Sequence, residues 1–404
     1  MDVSTSQDRQ RTSLDGALLS PSRIGDVNRS RVLQALCDHG AMSRAELAKM
    51  AGVTRATIGN IINGLVETGL LEEHEPREVT GVGKPARPVW FASGAGLSAA
   101  AAIGAGEFDV ALIDARGDVL DAGAGTFDPN SDNDNELRTK LVRALQEMMP
   151  AEGPAALLGI GVAVPGVCDT QRGIILGSGQ VRGLRGDGLV KSLQRRFERP
   201  VLVDNDARVQ ALGEKWFGLG RGVATFASVQ TGHGIGVGLV LDGVVYRGTS
   251  GEAGEVGHTC VTLDGERCRC GLVGCWETIA SLRWLQREAR RRKVRGAADL
   301  NAARLVEAAT TSPAAADLLD EYADHLAIGM ANLVQVLTPR VLILHGDAIG
   351  GGEELRTRIE AAVRRRVLAY LRNDVRVVLS ELDRRAGLLG AAALVLSETF
   401  RLVS

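Results

Sequence analysis

Aromatic residues are scarce in this 404-residue chain, at 3%. Its cores must therefore be filled by Val, Leu, Ile and Ala, with few large rings to anchor a layer. Net charge is also small, −2 with His neutral. That excludes a molecule that holds nucleic acid by its overall field, so any such contact has to be local. No segment stays apolar for the roughly eighteen residues a membrane span needs, and the N-terminus lacks the apolar stretch of a secretion signal. The chain reads as cytoplasmic. Cysteines are few, six in all, and four of them lie between residues 260 and 275. Such clustering fits a metal site in a reducing compartment and not a framework of disulfides.

With 45% hydrophobic content over this length, the chain should divide into about two or three domains. Residues 1–22 are rich in Ser, Asp, Arg and Gln, carry no apolar period and are expected to be disordered. Residues 23–92 read as a winged helix-turn-helix. Val27, Val32, Leu33, Leu36 and Cys37 recur at helical spacing. Ser43-Arg44-Ala45-Glu46 is a capping box that starts a short second helix, and Ala51-Gly52-Val53 is its turn. Thr54 caps a third helix, which should turn Ile58, Ile61, Ile62, Leu65 and Val66 inward and leave Arg55, Thr57, Asn60 and Asn63 outside. A short helix, a glycine turn and a helix bearing hydrogen-bonding side chains suit insertion into a major groove. Two short strands then flank a Gly-rich tip with Lys84 and Arg87, a cationic wing for phosphates or the minor groove. The acidic run Glu72, Glu73, Glu75 and Glu78 favours a competing reading, a protein-interaction module. On the DNA reading, Arg55, Thr57 and Asn60 contact bases, while Arg44, Lys84 and Arg87 contact the backbone.

From residue 97 to 404 the pattern becomes α/β. Ala102–Asp114 leads through Ala115-Arg116-Gly117 into Val119-Leu120, and Thr231–Leu241 turns at Asp242-Gly243 into Val244-Val245-Tyr246. Two such hairpins predict a duplicated lobe. Between them, Leu158–Val164 is a buried strand that ends at Pro165-Gly166, and Pro200–Val203 is a strand that delivers Asp204-Asn205-Asp206 to a helix start near Ala207. Read alone, that trio is either an N-cap cluster or a ligand site at a strand end. The basic run from Leu282 to Arg295 reads as a solvated helix face, Ala314–Leu337 as a buried helix, and Arg385–Leu396 as a helix packing back on the first lobe.

Residues 251–277 hold His258, Cys268, Cys270 and Cys275. One imidazole and three thiolates in a Gly-rich loop form a closed, tetrahedral ligand set for one structural Zn per chain; the bland alternative is a group of unrelated thiols. Cys260 is left over and is expected to be a buried apolar filler.

Glu255-x-x-His258 and Cys268-x-Cys270-x4-Cys275-x-Glu277 resemble the signature of the ROK family of repressors and sugar kinases. Ser43-Arg44-Ala45-Glu46-Leu47-Ala48 and Gly52-Val53-Thr54-Arg55-Ala56-Thr57 are similar to the helix-turn-helix of its repressors. The resemblance implies a two-lobed ribonuclease-H-like, actin-like ATPase fold with a sugar in the cleft. It also implies that Asn205, Asp206, Glu255, His258 and Glu277 bind sugar, Asp206 matching the kinases' catalytic base. On the residues alone, Glu255 and Glu277 could instead be partners of the metal ligands. The kinases carry Asp-x-Gly-Gly-Thr on the first hairpin, where this chain has Ala102-Ile103-Gly104-Ala105-Gly106. Acid, one Gly and Thr are missing at Ala102, Ala105 and Gly106. The second loop, Thr231-Gly232-His233-Gly234-Ile235-Gly236, is intact, and the Gly-Gly near the adenosine end is altered to His345-Gly346-Asp347-Ala348. Phosphoryl transfer rests on positioning and charge stabilisation, so no catalysis is expected and Asp206 is at most a vestigial base. The expected protein is a sugar-controlled repressor of carbohydrate genes, acting on operator DNA as a homodimer or homotetramer. An ATP-dependent sugar kinase with a fused DNA-binding domain is the alternative.

Overall fold

The structure, a computed structural model, describes residues 21–75, 87–150, 157–249, 251–382 and 384–400. Residues 1–20, most of the segment expected to be disordered, and the wing tip with Lys84 lie outside them. Residues 21 and 22 are already helical.

The N-terminal domain comprises α1 (Pro21–His39), β1 (Met42–Ser43), α2 (Arg44–Ala51), α3 (Arg55–Glu67), β2 (Leu71–Glu73) and β3 (Pro88–Phe91). The capping box forms as its sequence requires: the Ser43 side chain accepts from the Glu46 amide, and the Glu46 carboxylate accepts from the Ser43 amide. Gly52, at φ 68°, ends α2 in the left-handed region, and the Thr54 side chain accepts from the Thr57 amide to start α3. The strands order as β1-β3-β2. The apolar stripe is narrower than expected. Ile58, Ile62 and Leu65 are buried, but Ile61 is only partly buried and Val27 and Val66 are exposed. Val27 lies in the first half of α1 and Val66 in the last turn of α3, where less of the domain remains to cover them.

The first lobe holds β4 (Ser98–Ile103), β5 (Glu107–Ile113), β6 (Val119–Thr126), α4 (Asn135–Glu147), β7 (Gly159–Val164), β8 (Val167–Asp169), β9 (Ile174–Gly177), α5 (Gly188–Phe197), β10 (Val201–Asn205) and α6 (Asp206–Phe217). The second holds β11 (Phe226–Thr231), β12 (Ile235–Leu241), β13 (Val244–Val245), α7 (Glu277–Ala280), α8 (Leu282–Arg291), α9 (Ala302–Ala309), α10 (Pro313–Leu337), β14 (Val341–Gly346), α11 (Asp347–Gly350), α12 (Gly352–Arg366) and β15 (Arg376–Leu379). The chain closes with α13 (Arg385–Phe400). The main sheets are β6-β5-β4-β7-β10 and β13-β12-β11-β14-β15. In each, three antiparallel strands precede two parallel ones. This repeated order is the duplicated ribonuclease-H-like lobe that the two hairpins predict.

The scarcity of aromatics shows in how closely helices approach the sheets. A side chain at Gly161 would collide with the Ala391 backbone, one at Gly213 with the Ala386 carbonyl, and one at Gly390 with the Val209 carbonyl. Glycines thus let α13 lie directly on β7 and α6. The four alanines of β4, good helix formers in isolation, are held extended by pairing with β5 and β7. Buried Asp114 accepts from the Gly94, Arg116 and Asp118 amides and so pins the linker from the N-terminal domain to the β5–β6 turn. The basic run falls on α8, whose Trp284, Leu285 and Ala289 are buried while Arg287, Arg291 and Arg292 pair with Glu266, Glu288 and Glu321. Among the described residues, no helix is long and apolar enough to cross a membrane.

Candidate functional site

On α3, steps of about 100° per residue put Arg55, Gly59, Asn60 and Asn63 along one side. Arg55, Asn60 and Asn63 are exposed. Thr57 stands apart from them: it is half-buried and its hydroxyl lies 2.9 Å from that of Thr54. Arg44 is tied inward. Its Nε donates to Glu73 at 2.9 Å, its Nη2 to the Asn63 side chain at 2.9 Å and its Nη1 to the Gly59 carbonyl at 3.4 Å. It braces α2 against α3 and β2, and a phosphate would have to displace Glu73. Arg87 is exposed at the foot of the wing.

The strand-end trio settles into three distinct environments. Asp204 is buried and receives Arg208 Nε at 2.7 Å, Arg247 Nε at 2.8 Å and the Asn205 amide. Asn205 is the N-cap of α6: its Oδ1 accepts from the Ala207 and Arg208 amides and its Nδ2 donates to the Gly166 carbonyl at 3.0 Å. One amide hydrogen remains beyond these bonds. Asp206 opens the first turn and accepts from Ala207 N–H. Burial pushes its carboxyl up to about 6, the Ala207 N–H opposing the rise and the Glu255 charge adding to it. Glu255, on the other lobe, is therefore within electrostatic reach of Asp206.

That shift has a consequence for stability. The folded form holds the Asp206 proton more tightly than the unfolded chain, whose ordinary value is 3.8. Stability therefore falls as pH rises from about 4 to about 6. Asp206→Asn removes the penalty. Its melting temperature should match the parent's below pH 4 and exceed it at pH 8, by up to about 3 kcal/mol of stability. Thermal melts at the two pH values check this; a variant less stable than the parent at pH 8 contradicts it.

The loop after β13 carries the remaining residues. Gly254 and Gly257 lie against the Val237 and Ile235 carbonyls of β12, too close for any side chain. Arg208 Nη1 donates to the Ala253 carbonyl at 2.9 Å, tying the loop to α6. His258 Nδ1 faces the cysteines, 3.6 Å from Cys268 Sγ, while Nε2 faces Glu255 at 3.9 Å. Glu277 Oε1 accepts from Cys268 Sγ at 3.0 Å and lies 3.9 Å from His258 Nδ1. Its other oxygen faces Gly234 in the β11–β12 loop. Glu277 thus stands between the thiol cluster and the β11–β12 loop. Trp276, fully buried, covers Gly329 of α10 and donates to the His325 carbonyl at 2.8 Å, which seats the loop on the lobe.

His258, Cys268, Cys270 and Cys275 present ligand atoms that all lie within 4.8 Å of one another. Cys270 and Cys275 are 3.6 Å apart, sulfur to sulfur, and free. The four can hold a metal ion. Cys260 does not fill a core: it is exposed, its backbone pairing with Cys275 and its thiol donating weakly to the Thr262 carbonyl. At the first hairpin, Gly104-Ala105-Gly106 is a tight turn with Gly106 at φ 98°, packed on Phe127 and Pro129. Ala102 pairs with Asp109 of β5.

Two features carry no motif. The Asp204–Arg208–Arg247 network joins a strand end, a helix and a loop; only the i,i+4 spacing of Asp204 and Arg208 is a local signal for it. Lys215, also on α6, is buried at the junction with the N-terminal domain, 3.8 Å from Asp38.

Residues 98–398 match the ROK family, and residues 26–79 match the MarR family. The chain is 28% identical over 393 residues to the xylose repressor of Caldicellulosiruptor bescii, covering 93% of this chain and 96% of that one. It is similar in structure to a ROK family transcriptional regulator described as a homolog of the E. coli MLC protein, with TM-score 0.77, 26% identity and coverage of 94% and 98%. A ROK family glucokinase from Streptomyces griseus, in complex with glucose and AMPPNP, is similar at TM-score 0.64 and 28% identity over 74% of this chain and 99% of its own. With the match running from β4 through both lobes into α13, behind a MarR-like winged helix-turn-helix, the chain belongs to the ROK family.

Proposed function

We propose that this protein is a sugar-responsive transcriptional repressor of carbohydrate metabolism, cytoplasmic and at least dimeric. The observation that carries this is the union, in one chain, of a DNA-reading helix and a sugar-kinase-type body, aligned nearly end to end with a xylose repressor. Arg55 and Asn60 on α3 read bases; Thr57 orders the start of that helix; Lys84 and Arg87 contact phosphates. Two such heads on a palindromic operator require a pair of protomers. Asn205, Asp206, Glu255 and Glu277 accept and donate to hydroxyls of a sugar or sugar phosphate, and His258 Nε2 offers a donor beside them.

Zinc suits the cysteine cluster. A tetrahedron with bonds of about 2.3 Å to sulfur has edges of about 3.8 Å, and two of the ligand separations here are 3.6 Å. The ion would be held by His258 Nδ1 and the three thiolates, with no position left open. Bound there, it supplies rigidity: it fixes the imidazole tautomer so that Nε2 points at the cleft.

Arg55→Ala and Asn60→Ala should each weaken binding by about 10–100-fold to duplexes that the protein itself selects from a random pool. Fluorescence anisotropy at fixed salt measures it. Full affinity in both variants would remove α3 as the reader. The enzymatic alternative draws on the similarity of the body to a ROK family glucokinase and on Asp206, whose carboxyl burial pushes up toward the range of a general base. Against it stand Ala102, Ala105 and Gly106 where phosphate would be cradled. Turnover of D-glucose with ATP and Mg²⁺, abolished by Asp206→Asn, would establish the enzyme.

A further inference from the structure

The two ends of α6 meet different partners. Its start carries Asn205 and Asp206, the proposed sugar contacts, and its last turn, with the loop after it, meets the N-terminal domain. There Lys215 Nζ faces Asp38 of α1, and the Arg221 guanidinium lies 5.4 Å from the centre of the Trp90 ring on β3. The Arg221 Nε donates to the Trp216 carbonyl, so this cation is carried by α6 itself. Twelve residues at about 1.5 Å each separate the two ends by roughly 18 Å.

Between them the helix is gripped along its length. Ala207 lies under Gly238, and Val209 and Gly213 touch the α13 backbone. Glu214, fully buried, accepts from Ser380 Oγ and from the Leu219 amide, fixing the exit loop to the end of β15. α13 in turn ends on the same domain: the Phe400 ring stacks on Phe91 at 5.9 Å and its carbonyl accepts from Ser30 Oγ at 3.0 Å. A helix so packed moves as a unit, because its neighbours leave no room for local bending.

The junction is poised between opposing terms. The Phe91–Phe400 contact and the apolar core continuous across the junction favour docking. Burial of the Lys215 ammonium opposes it, and its proton is held less tightly there for the same reason, with Asp38 partly offsetting the loss. Undocking returns that charge to water.

We propose that α6 is the lever that couples the cleft to the DNA-binding domain, with Lys215–Asp38 and Arg221–Trp90 as its points of purchase. This rests on the sugar-responsive repressor reading. A ligand that draws on Asn205 and Asp206 tilts α6 together with α13, which is packed on it, moves Lys215 and Arg221 against α1 and β3, and changes the fraction of molecules whose α3 is held for DNA. Coupling of this kind spans roughly 5–150-fold in affinity and is reciprocal.

The test uses the full chain, a selected operator duplex, and D-xylose, D-glucose, N-acetyl-D-glucosamine and N-acetyl-D-glucosamine 6-phosphate as probes. The probe that raises the parent's melting temperature most is taken forward. Operator affinity is measured with and without it, and probe affinity with and without operator. The parent should show at least a fivefold change in both directions of measurement. Lys215→Met and Arg221→Gln should each bind probe within threefold of the parent, still bind operator, and show less than a twofold change. Asp38→Asn, at the more exposed end of the pair, gives a second route if Lys215→Met does not fold. The swap Lys215→Asp with Asp38→Lys should restore part of the coupling, which a merely structural role for Lys215 would not require. Full coupling in all the single variants overturns the proposal and leaves the repressor reading standing. A parent that binds no probe, or no operator, defeats both.

Discussion

Cys268→Ser is expected to release the metal and to weaken sugar binding by roughly two orders of magnitude, while binding of operator DNA survives. Of the four residues that can hold a metal ion, Cys268 lies against both the His258 ring and Glu277. Its sulfur stands 3.6 Å from His258 Nδ1 and 3.0 Å from Glu277 Oε1. Without it no ion is held and the imidazole loses the constraint that aims Nε2, while Glu277, 3.9 Å from His258 Nδ1, is left beside a loosened loop. Loss of such constraints on a binding shell commonly costs about 10–100-fold. Leu36, Leu47, Ile58 and Ile62 of the N-terminal domain belong to the core shared with α6 and α13, whereas Trp276 beside the cysteine loop belongs to a separate one, so the effect should stay in the second lobe. Metal content by atomic emission and sugar affinity by calorimetry give the two readouts. Metal loss with unchanged sugar affinity would separate the cluster from the pocket.

The second large effect is on stability. Arg208→Met should cost about 3 kcal/mol, the lower end of the range for breaking a buried ion pair. Asp204 is left buried, but it keeps Arg247 and the Asn205 amide, which limits the loss. The substitution also deletes the bond from Arg208 to the Ala253 carbonyl and so loosens the loop that carries Glu255. The paired change Asp204→Asn with Arg208→Met removes the stranded charge and should recover part of the stability. Urea denaturation of the parent and the two variants reads the difference. A loss below about 1 kcal/mol in Arg208→Met would mean that the network contributes no more than a surface pair.

How much of this could be read beforehand follows from the range over which each interaction acts. The caps at Ser43 and Thr54 close within three residues and were legible. So were the hairpin at Asp242-Gly243 and the cluster of His258 with three cysteines, because their chemistry is written in adjacent residues. The alanines before Ala102 gave no strand signal, since only pairing with β5 and β7 makes Ser98–Ile103 extended. The pairing of Arg44 with Glu73 and Asn63 carries no sequence signal because both partners are far along the chain. Cys260 is exposed and not the buried filler its composition suggests for a related reason: pairing of its backbone with Cys275 fixes where its side chain goes, and that is outward. Asp204–Arg247 and Lys215–Asp38 are tertiary throughout. Neither belongs to a motif, yet they set the geometry within which the cleft residues stand.

The central claim is that sugar in the cleft governs DNA binding at the other end of the chain. It is tested most directly by titrating one selected operator duplex with the protein, with and without a saturating sugar that raises the protein's melting temperature. The account predicts operator affinities that differ by at least about fivefold. Identical affinities, with the sugar demonstrably bound, would contradict it.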